Sequence, residues 1–378
     1  KKIVVICTNM SPINHWMFPH MKALKEYGYV DIISTEASSR VSRELKNVIN
    51  KTIDIEIPRK ISLIKDILCL FKITFILKNN KYDFLLVTMP KSSFIGLLSG
   101  FLCRIKNRVY ICQGEVWAGK KGFINFITKT LDKVTHYLST STVVMSKHQK
   151  KFLLENDIST NDKLNVLGEG SICGVDLKNW QFSKEKRRQM KKNLNLNQKQ
   201  FVFGYIGRIN NDKGVDDLVK AFCSDENIYT KSYLLIVGPN EDNTYEKIHF
   251  YIKNFKNIIY INKFVSNPIK YYSCMDLICL PSRRESFGMS LAEGAALGIP
   301  SLSSNIYGLK SVVLENKTGI CHNFGDIKQI KEKMIYCLNN KGRVLLLGKN
   351  AKNHIQTNFS KEKIIEEYKK YFKSQIFI

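Results

Sequence analysis

The residue types best suited to chemistry in this sequence are two acids and two cations in its second half. Glu285 and Glu293 form an E-x7-E pair in PSRRESFGMSLAE (281–293), and Arg208 and Lys213 form an R-x4-K pair in GRINNDKG (207–214). Carboxylates accept hydrogen bonds from hydroxyls, so a pair of them suits a polyol. An arginine fork and a mobile ammonium at one strand-to-helix mouth repel each other unless an anion lies between them, and a diphosphate fits that gap. Hydroxyls beside a diphosphate are what a nucleotide sugar offers.

Particular elements must position these side chains. MDLICLP (275–281) reads as a buried strand ending in a turn, and an apolar helical pattern follows from Gly288 to Leu297. Glu285 then lies in the loop between them, and Glu293 lies inside the helix. The amides of Phe287, Gly288 and Met289 open that helix and can hold an anion. Upstream, the strand FVFGYI (201–206) delivers Arg208 at its end, Gly204 and Gly207 let backbone pack closely, and Lys213 precedes Gly214 at a helix start. Structural readings stay open beside these: Ser286 as an N-cap, Ser290 with Glu293 as a capping box, the cations as a solvated basic turn.

The same alternation runs through the whole chain. KIVVIC, VDIIS, KTIDIEI, DFLLVT and RVYIC alternate with helical patterns in the first half, and FVFGYI, YLLIV, NIIYI, DLICL and IPSL do so in the second. Such alternation predicts α/β architecture with parallel sheets covered on both faces, whose ligands bind outside the carboxyl ends of the strands. A basic stretch poor in apolar residues, 184–199, predicts a domain boundary. The expected division is a Rossmann-like domain over 1–185, a second over 195–355 across a cleft, and a C-terminal helix, 356–378, packing back on the first.

The 378 residues are 44% apolar and 24% charged, as in an ordinary globular protein of about two domains. Lysines and arginines number 59 against 33 acids, a net +26 that favours anionic partners: a phosphorylated ligand, an anionic membrane surface or nucleic acid. The basic residues are spread along the chain without a nucleic-acid reader motif, which argues against the last. The ten cysteines include no CxxC pair, and no histidine pair has zinc spacing, so reduced thiols in the cytoplasm and no metal are expected. The apolar start KKIVVIC is too short for a signal peptide or a span. Segment 59–78 is apolar but carries Lys65 and Lys72 and is flanked by Arg59, Lys60 and Lys78; it reads as a core helix with a basic exposed face or as a helix lying on anionic lipid.

Together, GRINNDKG, the strand end LIVGP (235–239) and E-x7-E resemble the donor site of the retaining glycosyltransferases of family 4, which have two Rossmann-like domains facing each other across a cleft, the GT-B architecture. The resemblance spans nearly the whole chain and is sharpest in the second half. It implies that Gly207, Arg208 and Lys213 meet the donor diphosphate, with Gly238 and Pro239 on the same side. Glu285 approaches sugar hydroxyls, Glu293 binds ribose, and Phe264 and Val265 lie where the base is read. Implied too are retention of anomeric configuration, no metal, and no cofactor beyond a UDP-sugar donor carrying an N-acetylhexosamine or hexose. No DxD metal motif stands in a fitting loop.

In the first half, TNMSPINHWMF (8–18) lacks the glycine-rich loop of many members and resembles bacterial enzymes that extend polyprenyl-diphosphate-linked oligosaccharides. His15 in that loop is a candidate to meet donor or acceptor, Glu115 in CQGEVW is the acceptor-side acid, and each also fits an ordinary loop residue. The expected protein is a transferase peripheral on the inner face of the membrane, acting on a polyprenyl-diphosphate-linked saccharide for a surface polysaccharide or glycan. A nucleotide-sugar epimerase of the same architecture and a nucleic-acid-binding protein are the alternatives.

Overall fold

A computed structural model describes residues 1–58 and 62–377. Arg59 and Lys60 lie outside the described residues. The apolar runs become two parallel sheets. The first contains β1 (Lys2–Asn9), β2 (Tyr29–Thr35), β3 (Lys51–Asp54), β4 (Phe84–Thr88), β5 (Asn107–Cys112), β6 (Ser141–Val144) and β7 (Leu164–Val166), in the order β3-β2-β1-β4-β5-β6-β7. The second contains β8 (Phe201–Ile206), β9 (Ser232–Val237), β10 (Ile258–Ile261), β11 (Leu277–Leu280), β12 (Ser301–Ser304) and β13 (Gly319–His322), in the order β10-β9-β8-β11-β12-β13. Central strands pair on both sides: Ile3 lies opposite Val30 and Phe84, and Phe203 opposite Leu234 and Leu277. Each order reverses once, between β1 and β4 and between β8 and β11. Such switch points are where open parallel sheets make room for ligands.

Three strands escape the sequence reading, and one starts late. β6, β7 and β13 are three or four residues long, and β6 and β7 mix in polar side chains that bond locally, as where Asn165 Nδ2 donates to Ser141 Oγ at 2.9 Å. Such runs are too short to show a period. β12 begins at Ser301 rather than Ile299 because Pro300 has no N–H to give the ladder; its carbonyl accepts the Ile278 amide at 3.0 Å.

The chain forms two compact units, Lys1–Gly174 with Lys361–Ile378, and Val175–Ser360. The change of unit at Gly174 lies upstream of the basic stretch where the sequence placed it. That stretch begins the second unit's helical part as the Lys184–Asn193 helix, whose Lys184, Lys186, Arg188 and Lys192 are exposed while two of its cations are bonded within the fold. Arg187 Nη2 donates to Asp276 Oδ1 at 2.7 Å, and the buried Lys191 donates to the carbonyls of Gln198 and Gln200 at 3.1 and 2.9 Å. The first unit's core is completed by the Lys361–Ile376 helix: the Tyr368 ring lies 4.2 Å from His20, the Phe372 ring 6.3 Å from Phe84, and the Tyr371 hydroxyl 2.6 Å from Ser141 Oγ. Each fully buried large apolar side chain stabilises such a core by about 2 kcal/mol. Among the described residues no helix is long and apolar enough to cross a membrane.

Candidate active site

Because β8 and β11 are neighbours, the loops leaving their carboxyl ends meet. They are stitched together. The Arg283 amide donates to the Asp212 carbonyl at 2.8 Å, its Nη1 to the Asn211 carbonyl at 2.7 Å and its Nη2 to Asp217 Oδ2 at 2.8 Å, while Arg284 Nη2 reaches Asp212 Oδ2 at 2.6 Å. Gly214 permits this approach: its φ is +63°, and a Cβ there would lie 2.3 Å from the Pro281 carbonyl oxygen. At the centre, Lys213 Nζ donates to Glu285 Oε1, which also accepts from Ser282 Oγ at 3.0 Å. Their side chains are only 17% and 13% exposed, so the pair is well shielded from water.

Arg208 turns elsewhere. Its Nη1 donates to Glu241 Oε2 at 2.8 Å, an oxygen that also accepts from Asn210 Nδ2 at 3.2 Å. Glu241 follows β9, whose end crosses closely over the β8 loop at Gly238. A Cβ on Gly238 would lie 1.8 Å from the Gly207 carbonyl oxygen, and its φ of +149° is one that side chains rarely adopt. The Gly207 amide donates to Val237, the Ile209 amide to Pro239 and the Gly238 amide to Ile261. Gly207, Gly238, Pro239 and the end of β10 therefore share one edge. Phe264 and Val265 lie just past β10, Phe264 exposed and Val265 half-buried.

The Met289–Ala296 helix places Glu293. Its N-cap is Gly288, at φ +82° with no side-chain cap, so Ser286 does not fill that place. Phe287 is buried against the Phe359 ring at 5.1 Å. Glu293 closes no capping box: the Tyr272 hydroxyl lies 2.9 Å from its Oε2 and 3.0 Å from the Ser290 carbonyl, with one proton to share between them. Burial pushes the Glu293 carboxyl up to about 7, with the Tyr272 bond pulling the other way.

In the first unit, His15 is exposed after β1, with Nδ1 2.8 Å from the Ser11 carbonyl. Glu115 departs from the sequence expectation of an acid open to an acceptor. It is fully buried and accepts from Gln149 Nε2 at 2.7 Å; Gln149 Nε2 also lies 3.2 Å from the Cys112 carbonyl, and its Oε1 accepts the Met145 amide at 2.6 Å. The turn after β5 points this carboxylate inward, where it ties the ends of β5 and β6 together.

Sequence reasoning passed over Glu241, Tyr272, Arg283 and Asp212. The doubled arginine just before Glu285 was the available signal, since two cations beside a glutamate need acids of their own.

Residues 186–354, all within the second unit, match the family model "Glycosyl transferases group 1". The chain is 29% identical over 345 residues to the capsular polysaccharide biosynthesis glycosyltransferase CapM of Staphylococcus aureus, covering 89% of this chain and 88% of that protein. It is 24% identical to an Escherichia coli UDP-Gal:alpha-D-GlcNAc-diphosphoundecaprenol alpha-1,3-galactosyltransferase, covering 82% and 80%. Its fold superposes with a TM-score of 0.79 on Anabaena Alr3699/HepE in complex with UDP-glucose, at 14% identity and covering 99% of both chains. Residues 186–354 thus carry a group 1 glycosyltransferase domain, and the chain is a transferase whose two parallel-sheet units have the GT-B fold.

Proposed function

We propose that this enzyme transfers a hexose or N-acetylhexosamine, with anomeric configuration retained, from a UDP-sugar to a polyprenyl-diphosphate-linked saccharide during assembly of a surface polysaccharide or glycan. The observation that carries the reading is the shielded Lys213–Glu285 pair, held by separate loops at the switch point of the second sheet. A donor diphosphate attracts the Lys213 ammonium, leaving Glu285 to accept from sugar hydroxyls. Arg208 exchanges Glu241 for the same diphosphate, in the fork geometry that suits it. Glu293 accepts from the ribose, the amides at Phe287, Gly288 and Met289 face phosphate, and Phe264 and Val265 border the base. The sugar–phosphate C–O bond breaks with its electron pair leaving on UDP, and an acceptor oxygen bonds to the same face of the sugar. The acceptor's proton passes to the departing phosphate oxygen. Lys213 and Arg208 stabilise the charge that develops there, the largest contribution this chain's own residues can make without a metal.

The names of the relatives support the acceptor class, and the UDP-glucose in the Anabaena structure supports the donor class. No match named above supports an epimerase. A lipid-linked acceptor places the enzyme on the inner, anionic membrane surface. The test is a thermal-shift panel of UDP-, GDP- and ADP-sugars: a UDP-sugar at a hundred times its Kd should add about 2.7 kcal/mol of stability. Stabilisation by GDP- or ADP-sugars instead would overturn the donor. For Glu285→Ala, turnover should fall more than UDP affinity; equal losses would contradict its assignment to the sugar.

A further inference from the structure

The Gly122–Leu138 helix is built inside out. Its protein-facing side is polar up to its last residue: Asn125 Nδ2 donates to the Trp117 carbonyl at 2.9 Å, Asp132 Oδ2 accepts from Trp117 Nε1 at 2.8 Å, Thr135 and His136 are buried, and Leu138 alone of the buried residues is apolar. Burial pushes Asp132 up to about 7 and His136 down to about 3, so the arrangement has a real electrostatic cost. Phe123, Ile124, Phe126, Ile127 and Tyr137 face outward, Phe123 at 75% exposure. An amphipathic helix packed on a core and facing water does the opposite.

The Leu63–Asn80 helix adds to the same surface. Cys69, Ile73 and Leu77 are buried, but Ile64, Ile67, Phe71 and Phe75 recur at helical spacing along its exposed side. The sequence expectation of a basic exposed face is thus only half met: lysines are there, beside an apolar stripe. Both helices pack against the Pro90–Leu102 helix, which lies on β1, β4 and β5 and ends in exposed Phe101 and Leu102. Exposed Lys65, Lys72, Lys78, Lys120, Lys121 and Lys133 rise from the same helices and their flanks. The nearby acids are engaged, Glu56 with Lys65 at 3.1 Å and Asp66 with Lys91 at 2.7 Å. Single exposed apolar residues mean little, but grouped on adjoining helices they mark an interaction surface.

We infer that this face of the first unit seats in the headgroup layer of an anionic lipid bilayer, phenylalanines at the acyl boundary and lysines against headgroup phosphates. Interfacial helices combine these same parts, apolar bulk for depth and cations for the anionic surface. A second copy is the poorer occupant, because a two-fold interface would bring the lysines of the copies together. Each helix connects parallel strands, so each begins at the carboxyl edge of the first sheet, and the densest apolar turns, near Leu63 and Phe123, start from the same sheet edge as the His15 loop. The assignment draws its purpose from the lipid-linked acceptor proposed above, while its geometry is independent of the donor.

The test is co-sedimentation of the full chain with phosphatidylcholine vesicles, with and without about a third phosphatidylglycerol. The protein should bind the anionic vesicles and hold severalfold less to neutral ones. The variant Phe71→Ser/Phe75→Ser/Phe123→Ser/Phe126→Ser, with an unchanged melting temperature, should lose on the order of tenfold in partition. Lys120→Glu/Lys121→Glu, which leaves the apolar side chains in place, should weaken only the anionic binding. Equal partition of parent and serine variant would overturn the proposal, as would a parent dimer in buffer that the serine variant converts to monomer. If no UDP-sugar stabilises the enzyme but the vesicle difference persists, the donor reading falls and this face stands; the converse result separates them the other way.

Discussion

The Val215–Cys223 helix of the second unit and the Gly122–Leu138 helix of the first each cover a parallel sheet, yet they face opposite ways. In the former, Val215, Leu218, Val219 and Phe222 are buried, and Asp217 in its first turn takes the Arg283 guanidinium. In the latter, the polar residues are inside and the aromatics outside. The loop edges differ likewise: in the second unit Lys213, Arg283 and Arg284 with their acids stitch the mouth, while in the first Glu115 is turned into the core. One scaffold therefore presents charge where a phosphate is expected and apolar surface where lipid is. Which way a helix hides its polar residues reports what lies beyond it.

The sharpest way to break this comparison is at the second unit's mouth. Lys213→Ala should cut transfer on the order of 10²–10³-fold with the fold intact; a loss under about fivefold in initial rate would remove phosphate from that edge. Next comes the first unit's closure. Phe372→Ala should cost about 3–5 kcal/mol in urea unfolding, because a full aromatic ring leaves the core. UDP binding, assigned to the other unit, should survive wherever the protein remains folded.

A smaller effect follows pH. The folded-state Glu293 pKa, raised from 4.5 to about 7, favours the protonated acid. Its contribution to stability is therefore complete below about pH 4.5 and is lost as pH rises through about 7, so the melting temperature relative to Glu293→Gln should fall across that window. A ribose-binding role adds that UDP affinity should rise over the same interval as the carboxylate forms, and that the Gln variant should flatten the rise. The least change is expected for Arg283→Ala, which loosens the stitched loops without touching substrate: donor KM up about three- to tenfold, kcat little altered. A matching fall in kcat would instead place Arg283 in the reaction.

The meeting of Lys213 and Glu285 was legible because FVFGYI and DLICL are long enough to read as strands, and two βαβ halves place such strands side by side at a switch point. The Arg208–Glu241 bond was not, since each residue alone resembles a solvated charge. Glu115 misled for a related reason: its inward turn depends on Gln149, 34 residues later, and nothing local announces that contact. The aromatic stripe of the Leu63–Asn80 helix was visible as composition, but only burial separates the face carrying Ile73 from the face carrying Phe71.

The Lys361–Ile376 helix gives biosynthesis an unusual order. Tyr368, Phe372 and Ile376 are made after the whole of the second unit, yet they cover side chains of a sheet whose strands are made before it. The later unit, ending at Ser360, can finish its own core while the earlier one still waits for its lid. Truncation after Ser360 should consequently injure the amino-terminal unit and spare the later one, and a nascent chain stalled there would expose His20 and Phe84 to whatever chaperone is at hand.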